Sequence, residues 1–210
     1  MNRADARALL RGPYAIVNDA PNAERIVDAA LTAGIRIVQF RAKHGIDPLR
    51  LRAFCERAHA RGALAIGNDD WRAARAAGCD GVHLGPGDEG FEEPTRVRAI
   101  WPEAILGLSI GLPDEARAVD ARAVDYLGVG AVFATASKPD AGDPIGLDGL
   151  RAVASATALP ICAIGGITPE RLARVRASGA VMAATIAALA EAADPADAAR
   201  RYVAAWEAAA

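Results

Sequence analysis

Residues 35–43 read Ile35-Arg36-Ile37-Val38-Gln39-Phe40-Arg41-Ala42-Lys43, an apolar run that turns polar at alternate positions as it ends. Side chains of a strand alternate between its two faces, so Gln39, Arg41 and Lys43 share one side. Ala33-Gly34 stands just before, where glycine can take the left-handed conformation that stops a helix, and a segment of helical period follows. The unit recurs along the chain. Strands are predicted over 14–17, 35–40, 63–67, 81–84, 105–109, 126–129, 160–164 and 181–185, each followed by a helical segment, and Ala77-Gly78 and Ser178-Gly179 repeat the turn. Eight strand–helix units with no linker between them predict parallel strands joined by crossover helices and closed into a (β/α)8 TIM barrel of the α/β class. An open doubly wound sheet is the alternative. It would carry a glycine-rich dinucleotide fingerprint after its first strand, where Asn18-Asp19-Ala20-Pro21 stands instead.

A chain of 210 residues, 52% of them hydrophobic, is long enough for one barrel domain over 1–210, with 1–12 as an N-terminal extension or helix. The formal net charge is −2 with the signs interspersed, which leaves no basic stripe for nucleic acid. No apolar run reaches the roughly 18 residues of a membrane span. Residues 1–11 are charged and lack the apolar core of a signal peptide, and Cys55, Cys79 and Cys162 have neither metal nor disulfide spacing. These features predict a reduced cytoplasm and small-molecule substrates as partners, and leave a homo-oligomer open.

Active sites of such barrels lie at the C-terminal ends of the strands, so polar residues there are the candidates. One amide and two cations facing inward at the end of the second strand are costly without partners, and an anionic ligand at the mouth would supply them; an internal ion-pair ladder is the other reading. Asn68-Asp69 closes the third strand, and Asp88 follows the fourth. Adjacent strands lie about 4.8 Å apart, so the two acids could share one hard cation such as Mg2+ bridged to phosphates, unless each merely caps a helix or turn. His83 reads as a packed histidine, His44 and His59 as surface. Ser109 ends the fifth strand, and Thr135-Ala136-Ser137-Lys138 follows the sixth, hydroxyls and a lysine suited to phosphate oxygens. After the seventh strand come Gly165-Gly166 and then Thr168-Pro169-Glu170, which predicts a capped helix start able to hold a single phosphate.

The ordered set Val38-Gln39-Phe40-Arg41-Ala42-Lys43, Gly67-Asn68-Asp69, Asp80-Gly81-Val82-His83-Leu84-Gly85 with Asp88, Gly107-Leu108-Ser109, Asp125 to Lys138, and Ala163-Ile164-Gly165-Gly166-Ile167 resembles the thiamine phosphate synthase family along nearly the whole chain. The resemblance implies a transferase that joins a pyrimidine diphosphate to a thiazole phosphate and releases pyrophosphate. It implies that Gln39, Arg41, Lys43, Asn68, Ser109 and Lys138 hold the pyrimidine and its diphosphate, that Asp69 and Asp88 bind Mg2+, and that Thr135, Ser137 and Gly165 hold the thiazole phosphate, with Gly166 beside them a further substrate-binding candidate. Lys138, Arg41 and Ser109 become the candidate catalytic groups. Asp70 stands where the family usually has a basic residue, Pro86 replaces a usual glutamine, and alanine lies near the position of a usual serine in a shortened eighth strand. Two rivals remain. One is a thiazole tautomerase on the same barrel, whose strand-five histidine is absent here; the other is a noncatalytic barrel that binds a phosphorylated ligand.

Overall fold

The computed structural model describes residues 2–42, 45–135 and 142–209. Eight parallel strands pair in chain order and close on themselves: β1 Gly12–Asn18, β2 Ile37–Arg41, β3 Leu64–Asn68, β4 Gly81–Leu84, β5 Ile105–Ile110, β6 Tyr126–Val129, β7 Ile161–Ala163 and β8 Met182–Thr185. The last strand returns to the first, with Gly12 opposite Met182 and Ala15 opposite Thr185. Around them run α1 Arg3–Ala8, α2 Ala23–Thr32, α3 Pro48–His59, α4 Trp71–Ala77, α5 Pro94–Ile100, α6 Pro113–Ala118, α7 Gly146–Ala154, α8 Leu172–Ala177, α9 Ala187–Ala190 and α10 Pro195–Ala208. The expected TIM barrel is therefore the fold. Among the described residues no helix is long and apolar enough to cross a membrane.

Where strand limits differ from expectation, local bonding explains the shift. β2 starts at Ile37 because the Ile35 N–H still donates to the Ala30 carbonyl at 3.1 Å, closing α2. β7 starts after Pro160, which has no N–H for the ladder although its carbonyl accepts from Leu127 N at 2.9 Å. β5 runs one residue further, to Ile110, which pairs with Val129.

The alternation in β2 sorts two cores. Val38 and Phe40 pack outward against helix residues such as Leu51 and Phe54. Ile37 faces inward to a second cluster with Leu64, Ile66 and Ile105, and full burial of each such side chain stabilises by about 1.5–3 kcal/mol. Gln39 and Arg41 share the parity of Ile37, so they point into the barrel and out at its C-terminal mouth, as the alternation predicted. Ala6 and Leu10 join the inner cluster from below, so α1 plugs the N-terminal end.

Charge at that lower end is closed off. Asp125, completely buried just before β6, accepts from Arg3 Nε at 3.0 Å, Arg98 Nη2 at 2.6 Å and Leu106 N at 2.9 Å, and Arg7 Nη1 lies 3.4 Å away. Asp80 does the same before β4, its Oδ2 meeting Ala65 N at 2.8 Å and His59 Nε2 at 2.8 Å. Cys55 and Cys79, distant in sequence, are buried free thiols with sulfurs 3.0 Å apart.

Candidate functional site

A cavity of about 1290 Å³ opens at the C-terminal mouth and descends between the strands to Tyr14 and Tyr126. Gln39, Arg41, Asn68 and Asp69 line it from β2 and β3, and Asp88, Ser109 and Thr135 from the loops and strand ends that follow. Gly165 and Gly166 complete the opposite wall, both at positive φ, 99° and 62°. The expected residues are thus assembled on one surface as far as they are described; Lys43, Ser137 and Lys138 lie outside the described residues.

Local structure holds each group in place. Gln39 is 2% exposed, and its Nε2 donates to the Tyr14 hydroxyl at 2.9 Å. Arg41 Nη1 donates to Asn18 Oδ1 at 3.3 Å across the β1–β2 pair, which leans the guanidinium over the mouth. Asp69 adopts φ 67°, the sole non-glycine positive φ among the described residues, and its N–H donates to the His83 carbonyl at 3.0 Å. Aspartate tolerates the left-handed region better than most residues, and such backbones concentrate at functional sites. Asp88 folds back so that Oδ2 accepts from Gly85 N at 2.6 Å. A methyl group placed on Gly85 would lie 3.5 Å from Asp88 Oδ2 and 3.8 Å from Ser109 Oγ, so carboxylate and hydroxyl flank the same bare stretch of backbone.

Asp70, which stands where the family usually has a basic residue, caps α4 by accepting from Ala73 N through Oδ1 at 2.9 Å and lies outside the cavity lining. One expectation is corrected. Thr168 does not cap a helix. Pro169–Arg171 is a 3-10 turn, α8 begins only at Leu172, and the Thr168 hydroxyl bonds the Glu170 carboxyl, holding it below the ordinary carboxylate range. His83 is packed, with its ring stacked on Tyr126 at 5.5 Å and 28°, but it also lines the cavity and bonds Ser109 Oγ through Nε2 at 3.0 Å.

Sequence reasoning missed Tyr14 and Tyr126 as floor residues. Burial pushes both phenols well above their ordinary pKa, so both stay protonated. The signal that could have found them is two glycines on adjacent strands. A methyl at Gly107 would come within 2.2 Å of the Tyr126 ring and one at Gly128 within 2.7 Å of the His83 ring; only bare backbone leaves room for both rings inside the barrel.

Residues 13–189 match the family model described as thiamine monophosphate synthase. The chain is 45% identical over 179 residues to the thiamine-phosphate synthase of Moorella thermoacetica, covering 84% of each chain. It is 36% identical over 208 residues to that of Caldivirga maquilingensis, covering 95% of this chain and 98% of the relative. Among solved structures, the thiamine phosphate pyrophosphorylase from Pyrococcus furiosus superposes with a TM-score of 0.85 at 30% identity, over 97% of this chain and 98% of that one.

Proposed function

Because the chain belongs to the thiamine monophosphate synthase family, we propose that it joins 4-amino-2-methyl-5-hydroxymethylpyrimidine diphosphate to a thiazole phosphate in thiamine biosynthesis. The thiazole nitrogen attacks the exocyclic methylene carbon of the pyrimidine as the carbon–oxygen bond to the diphosphate breaks, and pyrophosphate departs with the electron pair. The chain need supply no nucleophile. Its residues bind both partners in line and neutralise the charge that develops on the leaving group.

The observation that carries this reading is the convergence of Gln39, Arg41, Asn68, Asp69, Asp88 and Ser109 on one cavity, with Thr135, Gly165 and Gly166 across it. At about 1290 Å³ the cavity exceeds the roughly 300–1000 Å³ usual for a single small ligand, as two substrates require. Arg41, with Lys43 and Lys138, neutralises the diphosphate; Ser109 donates to it; Gln39 and Asn68 orient the pyrimidine. Thr135, Ser137 and the glycine pair hold the thiazole phosphate. Two carboxylates bordering a cavity, rather than an all-protein cage, are a donor set that suits a hard cation such as Mg2+, so Asp69 and Asp88 would hold it. When bound, Mg2+ supplies further neutralisation of the departing diphosphate. Three buried free cysteines agree with a cytoplasmic setting.

The test is product identification. Purified protein given both substrates and Mg2+ is expected to yield a species whose mass is that of the pyrimidylmethyl and thiazole phosphate units joined. Isomerised thiazole phosphate with no joined product would support the tautomerase, and unchanged substrates would support a binding protein.

A further inference from the structure

Five side chains cross the barrel floor in one unbroken series of hydrogen bonds. Gln39 Nε2 lies 2.9 Å from Tyr14 OH, Tyr14 OH 3.1 Å from Tyr126 OH, Tyr126 OH 3.1 Å from His83 Nδ1, and His83 Nε2 3.0 Å from Ser109 Oγ. Its two ends, Gln39 and Ser109, are groups assigned above to the substrate, and the three residues between them have no role so far.

Proton counting gives the series a direction. Each buried phenol stays protonated and owns one proton. The Gln39 amide nitrogen can only donate, so Tyr14 accepts from it and spends its proton on Tyr126. Tyr126 then donates to His83 Nδ1, and the imidazole proton sits on Nε2 and is given to Ser109 Oγ. Two groups remain for a ligand: the Gln39 carbonyl oxygen, which no described residue bonds, and the Ser109 hydroxyl proton. The opposite direction would turn the Ser109 lone pairs toward an anion and the Gln39 amide protons toward the heterocycle. An anionic ligand above Ser109 therefore selects the same direction as the amide placement does.

We propose that this series makes Tyr14, Tyr126 and His83 positioning residues for specificity: it presents an acceptor at Gln39 and a donor at Ser109, and so selects a diphosphate-bearing heterocycle with an amino rather than an oxo group facing Gln39. The proposal rests on the pyrimidine reading above. An oxo group would meet the Gln39 oxygen with a second acceptor, and turning the amide to receive it would reverse the Tyr14 bond and, through it, every bond as far as Ser109. Sites built on buried hydrogen bonds reject ligands of the wrong polarity because a buried group is left unpaired.

The test titrates the full chain calorimetrically with the aminopyrimidine diphosphate and with its oxo counterpart, with Mg2+ and without thiazole phosphate. The wild type is expected to prefer the amino compound by at least about 100-fold. Tyr14→Phe keeps the ring but frees the Gln39 amide to turn, and the ratio between the two compounds should shrink at least about tenfold while thermal melting shows the fold intact. Tyr126→Phe, which breaks the series one step further on, serves if Tyr14→Phe fails to fold. In parallel, nitrogen NMR of histidine-labelled protein, with His83→Gln to assign the signal, should show His83 protonated at Nε2 and bare at Nδ1. Equal binding of both compounds, an unchanged ratio in the folded variant, or a proton on Nδ1 would overturn the proposal. A protein that binds neither compound would overturn the proposed function with it, whereas equal binding overturns the selectivity alone.

Discussion

At the N-terminal end of the barrel Asp125 is completely buried and three arginines converge on it, whereas at the C-terminal end Arg41, Asp69 and Asp88 border an open cavity. The lower cluster has its partners within the chain. Arg98 reaches the Ala104 and Ala123 carbonyls as well as Asp125, and Arg3 ties α1 across the opening that α1 plugs. Of the upper groups, Arg41 donates to Asn18 Oδ1 on the neighbouring strand and Asp88 accepts from Gly85 N in its own loop, and both border the cavity. Similar residue types therefore sit differently at the two ends: charge matched within a buried cluster stabilises, and the proposed function assigns the charge bordering the cavity to a ligand.

Substitutions that exchange these behaviours are the way to break the comparison. Asp125→Ala should have the largest effect, because it leaves a buried Leu106 N–H and three guanidinium groups without their carboxylate. A loss of about 3–5 kcal/mol in denaturant unfolding is expected, with turnover per folded molecule unchanged. Arg41→Ala should reverse that pattern: pyrophosphate release falls roughly 100-fold or more while the melting temperature barely moves. Equal loss of stability would return Arg41 to an internal ion-pair role. Asp88→Asn keeps an acceptor for Gly85 N and removes only charge. It should raise the Mg2+ concentration for half-maximal activity by at least about tenfold, the scale found even for groups one shell beyond a metal, and an unchanged titration would deny it a ligand role. The smallest effect is expected at Asp70, whose conversion to alanine removes the α4 cap and should cost about 1 kcal/mol with no change in turnover. A clear rise in turnover would mean that this acid acts on the diphosphate after all.

The sequence already carries most of the barrel. The limits of β4 and β6 coincide with the apolar runs at 81–84 and 126–129, since Asp80-Gly81 and Asp125 mark their starts. The inward parity of Gln39 and Arg41 follows from alternation alone. What was not legible depends on distances across the barrel. Tyr14 and Tyr126 read as ordinary strand residues, and His83 as packing, because their bonds join β1, β4 and β6 in a register that no local pattern contains. Gly107 and Gly128 hold the clue, but a glycine shows that space is needed and not which ring fills it. Likewise, the place of Asp70 after the Asn68-Asp69 pair does not show that it caps α4 through Ala73 N rather than lining the cavity. The 3-10 turn at Pro169–Arg171 replaced an expected helix start for a similar reason: Thr168 finds Glu170 rather than a backbone N–H.

The most direct test of the central claim, that the charge gathered at the C-terminal mouth serves to release a diphosphate, is pyrophosphate release by the purified protein with pyrimidine diphosphate, thiazole phosphate and Mg2+, each omitted in turn. Release that requires all three is the predicted result. No release from folded protein that still binds either substrate would contradict it.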